Sequence, residues 1–104
     1  LSTFILFSCS SISIGEEDTK TLIMFTADWC KYCTIAKADM SRNDSLNETL
    51  KKYEIIIADW DKDKDMINGY KVTTLPTFVI IQNKQEIKRR VGYYGPKDFI
   101  NFLR

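Results

Sequence analysis

Phe25-Thr26-Ala27-Asp28-Trp29-Cys30-Lys31-Tyr32-Cys33 is the stretch on which the reading of this 104-residue chain turns. Its first residues close a short continuous apolar run, Thr21 to Ala27, of the kind expected for a strand covered on both faces in a parallel or mixed sheet. From Cys30 the spacing changes: Cys33, Ala36 and Met40 fall at helical intervals of three and four. Two cysteines two residues apart therefore stand at a strand-to-helix junction. Cys30 occupies the first turn, where unpaired backbone N–H groups and the helix dipole favour an anion. A thiol lowered by about one and a half pKa units from 8.5 corresponds to roughly 2 kcal/mol of preferential thiolate stabilisation. Cys33, one turn on, lies beneath it and is shielded. One exposed nucleophile and one resolving thiol are what disulfide exchange through a mixed disulfide requires.

Downstream, the helix breaks at Ser41 to Asp44. Ser45 with Glu48 three residues later forms a capping box, and Leu46, Leu50 and Tyr53 line one face of a second helix. Glu54 to Ala58 is the next strand, followed by the charged segment Asp59 to Asp65 and a brief helix over Met66 to Tyr70. Thr77–Ile81 and Glu86–Val91 read as strands joined by the short turn Gln82 to Gln85, an antiparallel hairpin. Gly95-Pro96 opens a final helix with Phe99, Ile100 and Leu103 inward. A parallel unit, a hairpin and a closing helix give an α/β domain: a four-stranded mixed sheet with helices on both faces, over residues 20–104.

Composition limits the chemistry. Apolar residues make up 44% and charged residues 28%, which is ordinary for a globular domain and excludes disorder or a fibrous class. A net charge of +1 argues against nucleic acid as the main partner, and the basic stretch Lys84 to Arg90 reads as a solvated strand face. Histidine is absent, which removes Cys-His proteolysis, serine triads and the His ligands of most catalytic zinc sites. Three cysteines exclude a disulfide framework of the small secreted kind. A Cys-x-x-Cys pair also resembles half a zinc site, but four ligands would need Asp59, Asp61 or Cys9 to be recruited, and no metal is expected. A purely structural disulfide would close so short a loop that it gains little entropy. The acidic run Asp59 to Asp65 lacks the Gly and terminal Glu of an EF-hand loop and reads as a solvated loop entering a helix.

Residues 1–19 are expected to be a signal or lipoprotein remnant and linker. Leu1 to Cys9 is an apolar run followed by small residues, and Leu6-Phe7-Ser8-Cys9 looks like a bacterial lipoprotein cleavage box whose Cys9 becomes lipidated and anchors the protein to a membrane. The competing reading is a strand over Phe4 to Phe7 with Cys9 a buried small hydrophobe. The first reading places the protein in the periplasm or another extracytoplasmic compartment; the second leaves the cytoplasm open.

Three separated motifs resemble the thioredoxin superfamily. Phe25 to Cys33 is similar to that family's active-site segment, with an aromatic residue before the first Cys. Thr74-Leu75-Pro76-Thr77-Phe78 resembles the loop carrying its cis-proline, and Val91-Gly92 matches the small residue closing its substrate groove. Within the family, Ala27-Asp28-Trp29-Cys30 is most similar to the C-terminal thioredoxin domain of bacterial transmembrane thiol:disulfide interchange reductases and their soluble periplasmic relatives. The resemblance implies a thioredoxin-like three-layer sandwich working as a thiol:disulfide oxidoreductase, in the reducing direction, with no cofactor beyond the redox-active Cys30–Cys33 disulfide. It implies roles as well. Cys30 attacks, Cys33 resolves, and Pro76 lies in cis beside the disulfide. Trp29, Lys31, Tyr32, Leu75 and Gly92 meet substrate, Leu75 through backbone hydrogen bonds to an extended segment. The implied partners are protein disulfide substrates and an upstream thiol donor protein, with the protein itself a monomer. A redox-inert binding domain using the cis-proline groove is the alternative. The chain departs from the family where a buried Asp usually stands six residues before the first Cys: the residue here is Met24, and Asp28 is expected to be exposed.

Overall fold

The computed structural model describes residues 19–104. Strand β1 (Lys20–Thr26) leads into helix α1 (Lys31–Arg42) and, almost without pause, α2 (Asp44–Leu50). Then come β2 (Tyr53–Asp59), α3 (Lys64–Gly69), β3 (Thr77–Gln82), β4 (Gln85–Val91) and α4 (Pro96–Leu103). The four strands form one mixed sheet in the order β2-β1-β3-β4. β1 and β2 are parallel, whereas β3 runs antiparallel to both β1 and β4. The expected α/β class and the mixed sheet with helices on both faces are what the chain adopts.

Alternation along β1 divides the core. Leu22 and Met24 face α1, α2 and α4, packing with Phe78 and Ile80 of β3 and with Cys33, Ala36, Leu46, Leu50, Phe99 and Leu103. Ile23 and Phe25 face the other way, joining Val79, Ala58, Ile67 and Val72 beneath α3. The second layer is thin, because α3 is a single short helix. β2 is an edge strand, and Ile55 and Ile57 on its α1 face and Ile56 on its α3 face all remain substantially exposed.

Local details differ from the sequence reading. The break between the first two helices is only Asn43, not Ser41 to Asp44: its backbone N–H closes α1 on the Asp39 carbonyl, and its side chain accepts from Leu46 N at 2.9 Å. Asn43 rather than Ser45 is thus the cap of α2, since the chain re-enters helical geometry one residue after leaving it. Tyr53 starts β2 instead of extending the helical face, and its hydroxyl donates to the Leu103 carbonyl. The hairpin turn is tighter than read. Asn83 and Lys84 form a two-residue connection, both at positive φ, matching the right-handed twist of the strands they join. The acidic run is a folded turn: Asp59 accepts from the N–H groups of Asp61 and Lys62, and Asp63 accepts from Asp59 N.

Candidate active site

Strand β1 ends at Thr26 and the chain turns through Ala27 to Trp29, with Cys30 N donating to Ala27 O at 3.1 Å. Cys30 then stands in extended geometry as the N-cap of α1, and its Sγ accepts from Cys33 N at 3.2 Å. That N–H is one of the four a helix start leaves unpaired, so the sulfur takes the place an Asp or Ser oxygen usually fills. Cys30 and Cys33 are joined as a disulfide with Cα atoms 5.2 Å apart. Cys30 lies at the rim, 8% exposed, and Cys33 is fully buried. Once the bond is opened, the N–H donor and the N-terminal end of a 12-residue helix stabilise negative charge on Cys30. The pair can exchange two electrons with a dithiol through a mixed disulfide on Cys30.

Around the disulfide the fold gathers three distant segments. The Leu75–Pro76 peptide bond is cis, and Gly92 N donates to Pro76 O at 2.7 Å, joining the end of β4 to the proline loop. Tyr32, Leu75, Pro76 and Gly92 thereby line one groove of about 350 Å³, together with Tyr93 and Tyr94. Trp29 is 64% exposed on the flank, yet oriented: its indole N–H donates to Asp61 Oδ2 at 3.0 Å. Lys31 and Asp28 are exposed. A second depression, of about 390 Å³ and lined by Lys37, Met40, Leu50 and Ile55 among others, lies away from the disulfide.

Three features of the site carried no role in the sequence reading. Asp61 looked like part of a solvated loop, and only the fold carries it to Trp29. Tyr94 packs over Gly92, where a Cβ would stand 2.8 Å from its hydroxyl, and Arg90 lies 4.9 Å from its ring while pairing with Asp98 at 2.7 Å. Tyr93 is buried against Phe78 and Phe99, and its hydroxyl donates to Asp39 Oδ2 of α1 at 2.7 Å. Burial, then that hydrogen bond and the Asp39 charge, push the Tyr93 phenol far above its usual value. Two adjacent tyrosines after the groove glycine were the available signal. Among the described residues no three His, Cys, Asp or Glu side chains are placed to hold a metal ion.

Comparison with known proteins agrees with this geometry. Residues 10–104 match the thioredoxin-like domain family. The chain is 30% identical over 83 residues to a thioredoxin of Mycoplasma pneumoniae, covering 77% of this chain and 78% of that one. It is 25% identical over 92 residues to thioredoxin 2 of Plasmodium falciparum, covering 88% of this chain and spanning 57% of that protein's length. The crystal structure of Trxlp from Edwardsiella tarda shares the fold, with a TM-score of 0.73 at 19% identity over 93% of this chain and 94% of that one. The chain belongs to the thioredoxin superfamily, and its Cys30–Cys33 pair gives this domain thiol:disulfide oxidoreductase chemistry.

Proposed function

We propose that the protein reduces protein disulfides outside the cytoplasm, drawing electrons from an upstream thiol donor protein. The observation that carries the reading is the asymmetry of the two sulfurs: Cys30 at the rim of a groove and at a helix start, Cys33 sealed beneath it. Cys30 thiolate attacks one sulfur of a substrate disulfide, and the other leaves as a thiolate that takes a proton. Cys33 then loses its proton and attacks Cys30 Sγ, closing the Cys30–Cys33 bond and releasing the second substrate thiol. Trp29, Lys31, Tyr32, Leu75 and Gly92 form the surface over which an extended substrate segment lies, with Pro76 beside the disulfide. Similarity to thioredoxins supports the reducing direction. The sequence Ala27 to Cys30 supports a role like that of the bacterial transmembrane reductases' terminal domains. Leu6 to Cys9, which lies outside the described residues, supports export with Cys9 as the lipid anchor, and we take the protein to act as a monomer.

The test is trapping. Cys33→Ser should accumulate a stable mixed disulfide with substrate, whereas Cys30→Ser should neither trap nor turn over. Equal trapping by both variants would show the order of attack to be wrong. Failure of the unaltered protein to turn over any simple disulfide would favour the redox-inert binding domain.

A further inference from the structure

We propose that the Thr26 hydroxyl is the hydrogen-bond partner that Cys33 acquires when the disulfide is reduced, making Thr26 a positioning residue for the resolving sulfur. The inference rests on the thiol:disulfide reading above. Reduction by a donor dithiol breaks the S–S bond, places two electrons and two protons on the cysteine pair, and leaves the donor as a disulfide. Cys33, fully buried, then becomes a hydrogen-bonding group, first as a thiol and, on the way to resolution, as a thiolate. Such a group needs a partner in a dry core. Met24 provides none, being an apolar side chain packed in the same cluster as Cys33.

Apart from Tyr93, whose hydroxyl is engaged by Asp39, the buried polar side chains among the described residues are Thr26 and Thr77. Thr77 pairs with Phe25 in the sheet register and therefore lies on the α3 face, away from Cys33, and its hydroxyl already donates to Thr74 O at 2.6 Å. Thr26 follows Leu22 and Met24 on the α1 face, and the strand stays regular through its pairing with Asp59. One further step of the β1–β3 ladder would set it against Pro76. It is 1% exposed, and its Oγ1 is the one buried side-chain oxygen or nitrogen among the described residues with no hydrogen-bond partner. A buried hydroxyl without a partner is unusual in a native fold and calls for a reason. The reason follows from chemistry: the disulfide neither donates nor accepts strongly, while the reduced sulfur of Cys33, buried on the same face of the sheet, does both. The hydroxyl accepts from the Cys33 thiol and donates to its thiolate, and keeps its own proton throughout.

The experiment compares Thr26→Val, which keeps the shape and removes the oxygen, with Thr26→Ser, which keeps the oxygen. Two readouts are the redox equilibrium with glutathione and the rate at which Cys33 resolves a preformed mixed disulfide across pH. Loss of one hydrogen bond to the reduced form should shift the Thr26→Val equilibrium toward the disulfide by about fivefold, or roughly 20 mV more negative. Without the donor the thiolate forms less readily but attacks harder, because nucleophilicity falls only about half as fast as basicity. Thr26→Val should therefore resolve about threefold more slowly at neutral pH and faster than the unaltered protein on the alkaline plateau, a crossing that altered packing would not give. Thr26→Ser should keep the original potential and profile. An unmoved potential and profile in Thr26→Val, or the same shift in both variants, would overturn the inference while leaving the Cys30–Cys33 chemistry standing. An unaltered protein that fails to equilibrate with glutathione would overturn both.

Discussion

Tyr93→Phe isolates one hydrogen bond without disturbing packing, and its effect should diminish with rising pH in a calculable way. The ring is 8% exposed between Phe78 and Phe99, contacts that phenylalanine reproduces. What disappears is the 2.7 Å bond from the hydroxyl to Asp39, which ties α1 to the loop after β4. A bond to a charged acceptor is worth about 1.5–3 kcal/mol, and the half-buried Asp39 can recover part of that from water, so a loss of about 1–2 kcal/mol at pH 7 is expected. An unfolded tyrosine releases its proton near pH 10, whereas native Tyr93, raised by burial and by Asp39, retains it. The native state then binds more protons than the unfolded state, and stability falls as pH rises above about 10, by up to about 1.4 kcal/mol per pH unit from this group. Tyr93→Phe lacks that component. Tyr53, also raised by burial, is common to both proteins and cancels in the difference. Urea unfolding at pH 7 and pH 11 should show the variant's deficit shrinking by about 1 kcal/mol or more. A deficit that is equal at the two pH values, or larger at pH 11, would refute the assignment of Tyr93 as a proton-retaining, charge-bonded phenol.

Asp61→Ala releases the Trp29 indole. An exposed bond of this kind is worth at most about 1 kcal/mol, so KM for a protein disulfide should rise up to about fivefold while turnover of a small aromatic disulfide is unchanged. Equal loss on both substrates would mean that Trp29 orientation serves the sulfurs and not the substrate surface. Gly92→Ala meets two obstacles, a φ of 92° and a Cβ contact of 2.8 Å with Tyr94. Tyr94 is 67% exposed and can swing away, so the backbone conformation sets the cost at about 1–2 kcal/mol by thermal unfolding, and Tyr94→Ala should not relieve it. Full rescue by Tyr94→Ala would assign the cost to the side-chain clash instead.

The parts of the fold legible in the sequence are those written in neighbouring residues. The continuous apolar run of β1, the switch to helical spacing at Cys30 and the hairpin turn within Gln82 to Gln85 each act within a few positions, and each element formed close to where its pattern stood. Ser45 with Glu48 carries the capping-box pattern, which Asn43, followed three residues later by Leu46, does not; Asn43 is nonetheless the cap of α2 because α1 continues to Arg42. The cysteine pair was legible for the same local reason. The Trp29–Asp61 and Tyr93–Asp39 contacts were not: they join residues 32 and 54 positions apart, and the sheet order, not composition, sets what meets there. Asp61 belongs to a run of charges that would look the same in a featureless loop.

The two sulfurs of this site are governed by different layers of the fold. Cys30 answers to α1: its charge is stabilised by the helix start and by Cys33 N, a backbone donor that no side-chain substitution removes. Cys33 answers to the sheet face beneath, where Leu22, Met24 and Thr26 project at every second position of β1. An apolar residue at 24 and a hydroxyl at 26 leave that face without a side chain that titrates near neutral pH, so the core can tune the resolving sulfur by hydrogen bonding but cannot take its proton. Attack and resolution can therefore vary independently in this framework. Changes on the first turn of α1 act on the encounter with substrate, and changes at alternate positions of β1 act on release. The groove formed by Tyr32, Leu75, Pro76, Gly92 and Tyr94 is built from other segments again, so what binds is separated from how fast it is resolved.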